Sequence, residues 1–138
     1  MAQNDKLIGM LNKALGWEIR AALAYAHYAA YIMGRDRLDF EGHFKEASAE
    51  SMGHAATVRQ IISDLGGEAM AAPDATPIPH TSKIGMMLKE SLKIEETAEK
   101  TYRDIMPLLA GQASYQHAIA HILMSEEKSQ IELKRWLK

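Results

Sequence analysis

The stretch from Phe44 to Leu65, FKEASAESMGHAATVRQIISDL, decides the fold. Alternating steps of three and four residues pick out Phe44, Ala47, Ser51, His54, Val58, Ile61 and Leu65. That spacing is the seam one helix turns toward its neighbours in a bundle. The seam is apolar except at its centre, where Ser51 and His54 fall. A buried imidazole without a partner costs on the order of a few kcal/mol. The rest of the chain can be searched for that partner.

Upstream, residues 5 to about 33 read as a first helix, rich in alanine and leucine and free of proline. Its seam is Leu7, Leu11, Ala14, Glu18, Ala21, Tyr25, Tyr28 and Ile32, with Glu18 at mid-length. Gly34-Arg35-Asp36 forms a turn, and Asp36 or Asp39 is expected to cap the second helix. Gly66-Gly67 ends that helix.

Downstream, residues 68–81, EAMAAPDATPIPHT, hold three prolines and can only be a loop. At roughly 3 Å per extended residue it can cross the bundle lengthwise, which leaves helices two and three parallel. Thr81 or Ser82 is expected to cap a third helix. The seam of this helix is Ile84, Leu88, Ser91, Glu95, Ala98, Tyr102, Ile105 and Leu109, interrupted by Glu95. Pro107 and Gly111 mark its end. A fourth helix runs from about Gln112 to Leu137 with the seam Tyr115, Ile119, Ile122, Glu126, Ser129, Leu133 and Trp136. Shifting its frame by one residue gives a poorer stripe, so Glu126 rather than Glu127 points inward.

Four such seams predict an all-α, single-domain four-helix bundle over residues 1–138, with the long crossover between helices two and three. Its inward polar set is Glu18, Ser51, His54, Glu95, Glu126 and Ser129. Three carboxylates meeting in one dry layer cannot all ionise without a compensating charge. A bound cation supplies it, and carboxylates with an imidazole suit iron or manganese, less specifically zinc.

Composition sets the outer bounds. The 138 residues are 47% hydrophobic and 25% charged, with a net charge of −2, so no basic footprint for nucleic acid is present. With no cysteine there is no disulfide or thiolate metal site. The opening MAQNDKLIGML lacks a long apolar run, so neither leader nor membrane span is expected and the cytoplasm is the default location.

From LNKALGWEI through Met52-Gly53-His54 to ILMSEEKSQIE, the chain resembles the bacterioferritins of the ferritin-like, carboxylate-bridged di-iron family. That pattern places a glutamate on helices one and three and a Glu-x-x-His on helices two and four. Glu18, His54, Glu95 and Glu126 match four of the six ligand positions. Ser51 stands in place of the helix-two glutamate, and Ser129 in place of the helix-four histidine. Glu50, four residues before His54, is a candidate replacement ligand.

The resemblance implies Fe(II) oxidation for iron storage or detoxification, with one or two irons per chain and Tyr25 beside the site in a catalytic role. The alternative is a non-catalytic dimer with a degenerate single-metal site or an interface haem. Met52 falls where the family places the methionine that ligates haem b. A second apolar stripe, Ile19, Leu23, Ala26, Ala49 and Ala56, suggests a homodimer through helices one and two. Shell-forming bacterioferritins carry a fifth helix, and the end at Lys138 favours the dimer over a 24-subunit cage.

Overall fold

The computed structural model describes residues 2–138, with side chains from Asn4 onward, so the very start of the opening stretch read as free of a leader lies outside that description. Among the described residues it contains α1 (Ala2–Tyr31), α2 (Arg35–Asp64), α3 (Ile84–Ile105), a 3-10 turn (Met106–Leu109) and α4 (Ala113–Trp136), and no strand. None of these helices is long and apolar enough to cross a membrane.

α1 and α2 form one hairpin and α3 and α4 the other. The crossover between them is tied to α1 along its length. Asn12 binds Glu68 and Met70 near one end, Asp74 N donates to Gly16 O at 2.9 Å in the middle, and Tyr28 Oη donates to Pro79 O at 2.9 Å near the other end. The loop therefore returns the chain to the end where α2 began, and α3 runs parallel to α2. Gly16 permits the approach at mid-length, because a Cβ there would lie 3.3 Å from the Asp74 nitrogen. Gly66, at φ +80°, closes α2 in the conformation that favours glycine.

The expected caps are not the observed ones. Gly34 precedes α2 and Lys83 precedes α3, and neither provides a side-chain cap. Asp36 instead lies in the first turn of α2, where its charge faces the helix dipole favourably. Thr81 Oγ1 accepts from Lys83 N at 3.1 Å, so it closes the turn before the helix rather than the helix itself. Pro107 has no N–H to continue the α ladder, and the chain tightens there into the 3-10 turn.

Two apolar clusters make up the core. One contains Leu7, Leu11, Val58, Ile62, Ile105 and Ile122, and the other contains Tyr28, Ile32, Phe44, Met87, Ile94 and Leu133. Along every helix the switch from one cluster to the other occurs at the polar seam residues. The core is thus interrupted by one polar layer that all four helices contribute to.

Candidate metal centre

Glu18 on α1, His54 on α2 and Glu126 on α4 converge in that layer. Each offers one donor atom, and these atoms lie within 4.8 Å of one another. His54 Nδ1 is 3.3 Å from Glu18 Oε2 and 3.3 Å from Glu126 Oε1. The two carboxylates are buried, and the imidazole nearly so. Nδ1 is shielded from solvent and pairs with both carboxylates when the imidazole is protonated. Three donors of two types, brought from three helices to one shielded point, form a set that a central cation fits. A first-row metal at about 2.1 Å from each donor needs separations near those observed.

The electrostatics agree. Burial raises the Glu126 pKa to about 7; the His54 interaction opposes this and Glu18 adds to it. Burial alone would lower the His54 pKa, but the Glu126 and Glu18 carboxylates outweigh it and hold the imidazole at about 10. Without a metal, a proton thus holds the trio together near neutral pH. A divalent cation supplies the same compensation with more charge.

Two tyrosines anchor the surrounding carboxylates. Tyr102 on α3 donates to Glu18 Oε2 at 2.5 Å, and Tyr25 on α1 donates to Glu95 Oε1 at 2.5 Å. Burial first, then nearby glutamates, raises both phenol pKa values well above 10. Both therefore stay protonated as donors. Tyr102 stands in the α3 seam by sequence, but its role was not apparent there. The available signal is that a seam tyrosine must satisfy its hydroxyl.

The remaining candidates fall elsewhere. Glu95 is buried and held by Tyr25, outside the converging trio. Gln130 Nε2 lies 3.4 Å from the Glu95 carbonyl and donates to Glu99 Oε1 at 2.5 Å. Glu50 is half exposed, 4.0 Å from His54 Nε2, and accepts from Ser125 Oγ at 2.7 Å. Ser51 and Ser129 line a cavity of about 270 Å³ with Tyr25, Glu95 and Glu126, the one trio member on its wall. His43 also lines this cavity, against Trp136. Glu126 is buried while Glu127 is paired outside with Arg103, as the seam predicted. Met52 is half exposed on the outer face of α2, with Leu23 similarly exposed on α1.

A helical bundle crossed by a Glu/His layer defines the class. The profile of the ferritin-like domain family matches residues 8–138, and the chain belongs to that family. Solved structures agree on the fold. A ferritin-like, diiron-carboxylate protein from Bacillus anthracis superposes with a TM-score of 0.94 at 24% identity, over 100% of this chain and 99% of that one. The bacterioferritin-related, dodecameric thioferritin from Bacteroides fragilis gives 0.89 at 26% identity, over 97% and 85%. The DPS protein from Vibrio cholerae O1 gives 0.92 at 18%, over 99% and 92%. No curated protein sequence matches the chain.

Proposed function

We propose that this protein binds Fe(II) through Glu18, His54 and Glu126 and oxidises it to Fe(III), serving iron storage or detoxification. The observation that carries this reading is the convergence of Glu18, His54 and Glu126 from three helices, with donor atoms within 4.8 Å of one another in a buried layer. Iron is the substrate, and dioxygen or peroxide from solution takes the electron it loses. The chain's own residues do three things. Two carboxylates offset the added charge as iron oxidises, His54 gives up its proton on binding, and Tyr102 fixes the Glu18 oxygen that faces the ion. The low dielectric of the core strengthens each of these interactions.

Anaerobic titration with Fe(II), followed by admission of oxygen, tests the reading. The expected result is saturable binding, followed by growth of ferric absorbance, with both lost in His54→Ala. A folded wild-type protein that binds no Fe(II) above background overturns it.

For assembly, the exposed stripe that includes Leu23, Ala26, Ala49, Met52 and Ala56 supports pairing of two copies through α1 and α2. The Bacteroides fragilis relative is dodecameric. Light scattering on the purified protein distinguishes a dimer from such a larger particle, and Leu23→Glu is expected to yield monomer.

A further inference from the structure

We infer that each chain holds a single metal ion, and that the second half of the di-iron pattern has been converted into a cavity in which Glu95 is a tethered, non-ligating carboxylate. The inference rests on the proposed metal-binding reading and sharpens it.

The four-helix carboxylate pattern uses six ligands for two metals, two of them from each Glu-x-x-His helix. Here the two departures are not scattered. Ser51 and Ser129 come from different helices, yet both line one cavity of about 270 Å³ beside Glu95 and Glu126. A seryl side chain is too short to reach an ion that a glutamate or histidine would reach from the same backbone position. The space those longer side chains would fill is the cavity.

Glu95 completes the argument. Tyr25 holds its Oε1 at 2.5 Å, and Gln130 from α4 approaches its carbonyl. Its carboxylate lies outside the three-residue group that converges. The nearest candidate replacement ligand, Glu50, does not repair the loss. It is half exposed, turned to Ser125, and adjoins His54 Nε2 rather than Nδ1, the nitrogen that faces Glu18 and Glu126.

Anaerobic titration with Co(II), followed by its visible spectrum, and Mn(II) paramagnetic resonance test this without reference to turnover. One ion per wild-type chain is expected, with an uncoupled Mn(II) signal. Glu126→Gln should weaken binding at least ten-fold, while Glu95→Gln should change it less. Ser51→Glu/Ser129→His should take two ions and show exchange coupling.

Two ions on the wild-type chain, one of them lost in Glu95→Gln, overturn the inference and leave the metal-binding reading standing. No ion at all overturns both. If the double variant retains its helical circular dichroism yet takes one ion, the two serines are not what removes the second metal, and the inference fails on that ground.

Discussion

Tyr102 donates its hydroxyl hydrogen to Glu18 Oε2 at 2.5 Å, and that same oxygen is the one 3.3 Å from His54 Nδ1. One carboxylate oxygen is thereby fixed from α3 while it faces the ion site from α1. Such outer partners set a ligand's orientation, and their removal commonly costs about 10–100-fold in metal affinity. Tyr102→Phe is therefore expected to weaken Fe(II) or Co(II) binding by about that factor. A packing residue alone would lower the unfolding midpoint and leave the affinity untouched, so a titration decides between the two roles.

The same trio makes metal affinity depend on pH. His54 is protonated below about 10 and must lose that proton to coordinate through Nδ1. Apparent affinity should rise about ten-fold per pH unit across neutral pH, one proton being displaced per ion. Below about 7, Glu126 is protonated as well, and the dependence should steepen. Co(II) titrations at several pH values measure the slope, and a flat profile would remove His54 from the ligand set.

Stability of the metal-free protein should run the other way. Both groups bind protons more tightly folded than unfolded: Glu126 at about 7 against 4.5, and His54 at about 10 against 6.5. Stability is then greatest below the unfolded values. It falls from pH 4.5 to 7 through Glu126 and from 6.5 to 10 through His54. Between pH 6 and 9 the loss should be on the order of 4–5 kcal/mol, most of it through His54. Urea unfolding with a chelator present gives the measurement. Excess Fe(II) under anaerobic conditions should restore stability at the higher pH, because it binds only the folded trio.

These predictions rest on residues of very different legibility. Glu18, His54 and Glu126 could be read from the sequence because a 3-4 seam leaves a polar residue nowhere to go but inward. Glu126 over Glu127 followed from the same rule. The rule was weaker one turn later. Ser129 lines a cavity while Gln130, four residues after Glu126, is the more buried of the two. A helix of 3.6 residues per turn drifts from a 3.5 repeat, and position i+4 can share the inward face with i+3.

Caps were misread for a different reason. Asp36, Asp39, Thr81 and Ser82 have the right chemistry, but the turn geometry at Gly34 and Lys83 sets where each helix begins. Tertiary hydrogen bonds left the least trace. Nothing in local periodicity announces that Tyr102 meets Glu18, 84 positions away.

Arg20 gives the last case, and one the sequence did not single out. It is almost fully buried, two residues from Glu18 on the side of α1 that carries the crossover. Its Nε donates to Thr76 O at 2.8 Å, and Nη2 donates to Pro77 O at 2.7 Å and Glu90 Oε2 at 3.1 Å. The guanidinium also stacks 4.8 Å from the Trp17 ring. One side chain thus joins α1, the proline-rich loop and α3. Removing it leaves two loop carbonyls without this donor and Glu90, itself largely buried, without its cation. Breaking a buried pair from one side costs about 3–5 kcal/mol. Arg20→Ala is expected to lower unfolding stability by that amount in urea. Arg20→Lys keeps the charge but not the planar fork, and so should recover only part of it. Equal stability of Arg20→Ala and wild type would show that the contacts at Asn12, Gly16 and Tyr28 hold the loop without Arg20.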